Sequence, residues 1–344
     1  MPKSVKKQTT QGSVTAKQGQ TQGGLAGFLQ AIFDLRAGSF DRQSIAKNNF
    51  DMGIQQFRLG NINDAIFRFK VATRLSGRHA ASWYWLGRSL LKDGRMGEAA
   101  KALRKAAMLK PGDDHINYML AVVLGAGAPS KLTPARVPLD LIRDHFDHVA
   151  KQYNQAVTME GRTDHMQVAT AARQAVQPGR IDHVVLDLGA GTGICGSQLR
   201  DIASEITGVD ISAPMLHQAE LLQHESGRKL YDKLIHREAL EFLATAQEKT
   251  YDIVLVSGLT HYLGDLNPLF TEVARVLKSG GIMAFASCRS PGGAIHFNAE
   301  QEMFCYSQDY LEKMAHAVGL HISQMKEMAL MPGQPGWIGV CTKA

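Results

Sequence analysis

Two kinds of hydrophobic patterning divide this chain. Between residues 46 and 124 small and apolar positions recur at helical spacing, and the pattern itself repeats: Gly53, Ala65, Phe69 and Ala72 return as Gly87, Ala99, Leu103 and Ala106, each 34 residues on. Antiparallel helix pairs that pack closely need small residues at such fixed places. Further along, short apolar runs replace the helical period. Val184 to Leu188 is one, interrupted only by Asp187, and Glu205 to Val209 leads into a second that ends on Asp210. Runs of this length without polar alternation read as strands buried in a sheet. Near the end, Ser307 to Val318 reads as a helix, and Leu320 to Met328 and Trp337 to Thr342 as two strands joined by a Pro-Gly turn.

The first run opens into Gly189-Ala190-Gly191-Thr192-Gly193. Alternating glycines let the backbone turn sharply out of a strand and approach a ligand where a Cβ would intrude. A dinucleotide loop has its third glycine, or an alanine, at the sixth position, here Ile194; this chain has it at the fifth, Gly193. That spacing argues against nicotinamide and flavin. Asp187 beside the loop suits a cationic ligand better than a pyrophosphate. S-adenosylmethionine carries an ammonium and a sulfonium and no phosphate. Asp210, one βα unit and 23 residues beyond Asp187, stands where a strand-end carboxylate holds a ribose diol.

Asp187 to Gly193, followed by Val209-Asp210-Ile211-Ser212, resembles the class I S-adenosylmethionine-dependent methyltransferases. Tyr251 to Val256 is similar to that family's fourth strand, and Arg275 to Phe285 to its helix, Gly-Gly turn and fifth strand. Phe146 to Asn154 resembles the lid segment that precedes the cofactor domain in many small-molecule members. The likeness covers residues 137–344 and implies an α/β Rossmann-like seven-stranded methyltransferase domain whose last strand is antiparallel. It also implies that Asp187, Gly189, Gly191 and Gly193 surround the methionine part of the cofactor, and that Asp210, with Ile211 next to it, holds the ribose. Glu238 and Ala239 then lie against the adenine, Tyr153 covers the cofactor from the lid, and Ser257 stands beside it after the fourth strand. Glu238 departs from the more usual aspartate, although its longer arm still accepts an amino group.

The 34-residue repeat resembles the tetratricopeptide repeat, through Trp83, Leu86, Gly87, Leu90, Ala99, Leu103, Ala106 and Pro111. The domain reading is therefore a disordered basic tail over 1–24, an all-α helical-hairpin domain over 25–124, a linker over 125–136 and the methyltransferase domain from 137. Repeats are expected at 46–79 and 80–113, with a half repeat at 114–124. The first copy departs from the pattern at Asn49 and Gly77, where an aromatic and a proline are usual. A helix around Leu25 to Leu35 and the methyltransferase domain are expected to cap the array.

Composition and charge narrow the function further. The 344 residues are 44% hydrophobic, and no apolar run reaches the ~18 residues of a membrane span. Lys3, Lys6, Lys7 and Lys17 supply four of the six net positive charges, and no basic stripe interleaved with aromatics stands out along the rest. A cytoplasmic protein that binds neither nucleic acid nor membrane is expected. The cysteines at 195, 288, 305 and 341 form no CxxC pair, so neither a disulfide nor a metal site is expected.

Methyl transfer asks mainly for alignment of acceptor, methyl and sulfur, with a base needed only for a protonated acceptor. His261 and Tyr262, after the fourth strand, are the catalytic candidates, His261 because it could titrate near neutrality. The segment from Ser287 to Phe304 is read as an insert that walls the acceptor pocket. The sequence leads to a methyltransferase acting on a small-molecule or carrier-bound metabolite, with the repeats binding a protein partner or closing a homodimer. Two alternatives stay open at this level: a protein methyltransferase whose repeats grip the substrate, and a non-catalytic interaction protein with a vestigial cofactor domain.

Overall fold

The 34-residue interval has a steric cause. In the structure, a computed structural model, residues 41–125, 134–222, 227 and 229–344 are described. The expected tail, the helix around Leu25 to Leu35 and most of the expected linker lie outside the described residues. Helices α1 (Arg42–Arg58), α2 (Ile62–Leu75), α3 (Ala80–Lys92) and α4 (Met96–Leu109) form two hairpins. A Cβ on Gly53 would stand 2.7 Å from the Phe69 ring, and one on Gly87 2.5 Å from Leu103. Each glycine thus admits the large side chain of the second helix into the first. Ala65, Phe69, Ala72, Ala99, Leu103 and Ala106 are all fully buried, which is why the same positions return one hairpin later.

The chain divides into two units, Met1–Leu109 and Lys110–Ala344. Helix α5 (Asp114–Leu124), read from the sequence as a half repeat, lies within the second. Asp113 caps it by accepting from the Ile116 amide at 3.0 Å. Its Tyr118 hydroxyl donates to Glu302 at 2.6 Å, and the Tyr118 ring stands 5.7 Å from that of Phe297.

The second unit continues with α6 (Leu139–Val149), α7 (Tyr153–Met159) and α8 (Asp164–Ala175), then alternates β1 (His183–Leu188), β2 (Ala203–Asp210), α9 (Ala213–Leu221), β3 (Lys233–His236), α10 (Ala239–Leu243), β4 (Tyr251–Val256) and α11 (Asn267–Val276). It ends with β5 (Leu277–Arg289), β6 (Ile295–Asn298), β7 (Met303–Tyr306), α12 (Gln308–Ala317), β8 (Leu320–Met331) and β9 (Gln334–Lys343). Strands β3, β2, β1, β4 and β5 are parallel neighbours in that order. Strand β9 runs antiparallel to β5, and β8 lies outside β9. These seven are the expected sheet, with the chain's last strand antiparallel. Strand β4 is buried along its whole length, as a central parallel strand with both faces covered must be. Val185, Ile206, Ile253 and Ile282 pack with Val168 and Ala172 of α8 in the core.

The insert after β5 is more ordered than its Gly and Pro content suggests: β6 and β7 form a hairpin, and β7 pairs with the end of β5. This pairing overturns the expectation of no disulfide. Cys288 and Cys305 are direct register partners with Cα atoms 4.4 Å apart, and they are joined. A sequence separation of 17 without a CxxC motif gives no hint of a contact that sheet register creates. Cys195 and Cys341 are buried and free. Among the described residues, no helix is long and apolar enough to cross a membrane.

Replacing Gly87 with valine forces a branched side chain into the space that Leu103 fills. We expect it to destabilise the repeat unit by about 1–3 kcal/mol, the usual penalty of overpacking. Denaturant unfolding followed by the fluorescence of Trp83 and Trp85 reads this, and an unshifted midpoint would remove the steric account of the repeat.

Candidate active site

A cavity opens at the carboxyl ends of β1, β2 and β4, where ligands of open α/β sheets bind. Gly189, Ala190 and Gly191 form its floor. Gly189 and Gly191 adopt positive φ of 71° and 56°, conformations that a side chain would strain. Asp210 joins the floor to the second strand: its two carboxylate oxygens accept from the Gly191 amide at 2.9 Å and the Ser212 amide at 2.8 Å. Burial raises its pKa, and those two donors work against the rise. Each oxygen keeps a lone-pair site for a further donor.

Two glycine-loop residues lie elsewhere than expected. Asp187 does not line the cavity. It is fully buried beneath the loop, where one oxygen accepts from the Gly196 amide at 3.0 Å and the Tyr231 hydroxyl at 2.7 Å. The other oxygen has no hydrogen-bond partner among the described residues, and burial pushes its pKa up to about 6. Gly193 also faces inward: a Cβ there would stand 2.9 Å from the Tyr231 ring. Both residues shape the loop from behind rather than surrounding a ligand.

Ile211, Glu238 and Ala239 do line the cavity. Glu238 has two structural duties: it caps α10 by accepting from the Glu241 amide at 2.8 Å, and it pairs with Arg136 at 3.2 Å. The lid forms the roof. Asp147 accepts from the Ser212 hydroxyl at 2.6 Å, Asn154 accepts from the Thr192 hydroxyl at 2.5 Å, and Phe146, Tyr153 and Val157 pack around Met215.

Sequence reasoning missed a polar cluster between lid and sheet. Arg162 donates to Asp164 at 3.0 Å, and Asp164 is almost completely buried. His165 stands 3.2 Å from the Tyr153 hydroxyl through one ring nitrogen and 3.0 Å from the Ser257 hydroxyl through the other. Ser257 therefore supports His165 and is not a lining residue, contrary to expectation. Burial opposes the charge on Asp164, yet His165 and Arg162 outweigh it and hold the carboxyl below its ordinary range. Burial lowers the His165 pKa. The signal available in sequence was the run Arg162-Thr163-Asp164-His165, charged residues at the start of a helix whose other face is apolar.

His261 and Tyr262 both reach the cavity. The Tyr262 ring meets Phe146 edge-on at 6.0 Å, and burial raises its pKa. His261 does not titrate near neutrality as expected, because burial pushes its pKa down to about 4. Three carboxylates line the cavity: Asp164, Asp210 and Glu238. Two cations, Arg136 and Arg162, are committed to Glu238 and Asp164, which leaves Asp210 uncompensated. A phosphate-bearing ligand would find no unpaired cation among the described lining residues, whereas a cationic ligand would find a carboxylate.

A largely parallel sheet, a positive-φ glycine floor and a strand-end carboxylate make this unit a Rossmann-like α/β fold. The family description "Methyltransferase domain" matches residues 186–285, and "Tetratricopeptide repeat" matches residues 50–114. The chain thus carries a methyltransferase domain preceded by tetratricopeptide repeats. It is 30% identical over 153 residues to a malonyl-[acyl-carrier protein] O-methyltransferase of Salmonella typhimurium, covering 44% of this chain and 55% of that one. It is 31% identical over 110 residues to a ubiquinone biosynthesis O-methyltransferase of Nitrosomonas europaea, covering 32% and 45%. The chain spans about half the length of these curated relatives. The solved structure of the [4+2]-cyclase SpnF superposes with a TM-score of 0.51 at 15% identity, covering 60% of this chain and 98% of that one, a likeness of fold.

A histidine held neutral by folding leaves a pH signature. The folded pKa of His261 is depressed, so as pH falls below ~6.5 the unfolded chain binds a proton that the folded chain refuses, and stability is lost toward pH 4. The raised pKa of Asp187 acts oppositely below about pH 6, but it is common to wild type and variant. Against His261→Gln, wild type should therefore lose about 2 kcal/mol between pH 7 and about pH 4.5. A stability difference that does not move with pH would mean that His261 is not held neutral.

Proposed function

We propose that the chain binds S-adenosylmethionine in this cavity and transfers its methyl group to the oxygen of a small-molecule or carrier-bound acceptor. The observation that carries the reading is Asp210, a half-buried carboxylate without a cationic partner among the described lining residues, at the tip of β2 beside a glycine floor. Its charge and its remaining lone pairs suit a cationic, diol-bearing nucleoside. The O-methyltransferase names of both curated relatives support an oxygen acceptor, and one of those names includes a carrier protein.

When bound, the cofactor supplies a methyl group on an electrophilic sulfonium. The chain's own residues hold, align and enclose. Gly189 and Gly191 bring backbone to the methionine part, Asp210 accepts from the ribose hydroxyls, and Ile211 packs beside them. Glu238 and Ala239 border the base. Arg162 holds Asp164 in place, and Tyr153 closes the roof while His165, itself held by Ser257, fixes its hydroxyl. Asp187 and Gly193 keep the loop in shape from below. The cavity's lining runs from Gly189 and Asp210 on the cofactor side to Met303 and Met331 after the fifth strand, so an acceptor would enter beside the cofactor. Met303, Leu330 and Met331 add apolar side chains to this lining. Neutral His261 can accept an acceptor's proton across the neutral range, although a pKa of about 4 makes it a weak base.

Titration calorimetry with S-adenosylhomocysteine, NAD and NADP tests the reading. Micromolar binding of the first alone is expected, and Asp210→Ala should weaken it by about tenfold or more. A folded protein that ignores S-adenosylhomocysteine would end the proposal.

A further inference from the structure

The near-neutral sum of the folded chain hides a division of charge. Residues 41–109 hold thirteen Lys and Arg against five Asp and Glu, a net +8, while residues 110–344 hold twenty against twenty-six, a net −6. Local pairing does not consume the excess. Only Lys47, Arg68, Lys70 and Arg95 have a carboxylate within 4.0 Å among the described residues. Nine cations of the repeat unit lack one.

Two of these nine are held in place. The Arg88 guanidinium lies 4.6 Å from the centroid of the Trp85 ring and 5.4 Å from that of Phe57, and the Lys92 ammonium stands 5.3 Å from Phe57. The rings themselves meet edge to face at 5.2 Å. Phe57 belongs to the first helix of one hairpin and Trp85, Arg88 and Lys92 to the first helix of the next, so the patch forms only when the repeats stack. This is the basic and aromatic surface that linear sequence does not display. Rings that restrain the side chains lower the entropy lost when a partner's carboxylates engage them.

We propose that this face docks a small acidic carrier domain that delivers the methyl acceptor on a tether. The inference rests on the carrier-bound form of the proposed function. A carrier fits the site better than a nucleic acid does. The cavity's own cations are already paired with carboxylates, so a phosphate backbone finds no free cation among the described lining residues, whereas a tether need bring only its reactive end there. Arg88 and Lys92 cover the faces of Trp85 and Phe57 rather than leaving them open for bases to stack.

The test uses the full chain, with an apo acyl carrier protein of net negative charge and a short duplex DNA as competing probes, both read by fluorescence anisotropy. Expected are saturable binding of the carrier, loss of at least tenfold in affinity from about 50 to 300 mM salt, and a loss of similar size in Arg88→Glu/Lys92→Glu. Arg88→Gln/Lys92→Gln, which removes charge without reversing it, should fall between if the patch is the contact, and an unchanged far-ultraviolet circular dichroism melt verifies that both variants keep the repeat fold. No carrier binding, equal binding by the charge variants, or tighter binding of the DNA each overturns the proposal. S-adenosylhomocysteine affinity, measured on the same samples, separates the two readings. Retained cofactor binding with no carrier binding sinks the docking alone, and lost cofactor binding sinks the methyl-transfer reading and the delivery role with it.

Discussion

One buried carboxylate organises the methyltransferase unit. Asp187 takes hydrogen bonds from the Gly196 amide and the Tyr231 hydroxyl beneath the glycine loop, and so ties β1, the loop and the segment before β3 together at one point. The Tyr231 ring demands space from three directions: a Cβ on Gly193, Gly196 or Gly208 would come within 3 Å of it. The glycines around Asp187 therefore have two separate reasons. Gly189 and Gly191 turn their backbone toward the cavity, while Gly193 and Gly208 make room for the tyrosine that satisfies the acid. Without that hydroxyl, a fully buried charge would keep only a single backbone donor, a costly condition in a low-dielectric core.

The arrangement concentrates negative charge where a ligand is to bind. Asp187 below the loop and Asp210 beside it are each disfavoured as anions by burial, and each arginine at the cavity already has a carboxylate partner. Of the two, only Asp210 lines the cavity, so it is the acid that a cation there would relieve. The lid reinforces the arrangement. Its contacts, Asp147 with Ser212 and Asn154 with Thr192, are made beside Asp210 and in the glycine loop, so the roof is fastened to the same backbone that floors the cavity.

Features carried by local sequence were legible, and features created by long-range pairing were not. Asp210, Gly189 and Gly191 could be placed because strand, loop and strand-end acid sit in one stretch of chain with fixed spacing. Gly53 and Gly87 could be placed because the repeat states the packing rule twice. Asp187 and Gly193 were found as part of the loop but turned to the wrong side of it, since the partner that draws them inward, Tyr231, lies about forty residues away, across the second strand. Ser257 was misplaced for the same reason, as His165 lies 92 residues from it. The neutrality of His261 depends on burial, which residue type does not reveal, and the joining of Cys288 to Cys305 depends on sheet register.

Charge follows the same logic on a larger scale. A net charge summed over the chain described it as mildly basic, although its two units carry opposite signs. Electrostatic steering acts over about a Debye length, ~10 Å at moderate salt, so an approaching macromolecule responds to the face it meets rather than to the sum. An acidic body is attracted to the repeat unit and repelled by the methyltransferase unit. The same acidic unit encloses a cavity whose uncompensated carboxylate favours a cationic cofactor. Opposite charge therefore suits the two units to different guests, a distinction that the summed net charge conceals.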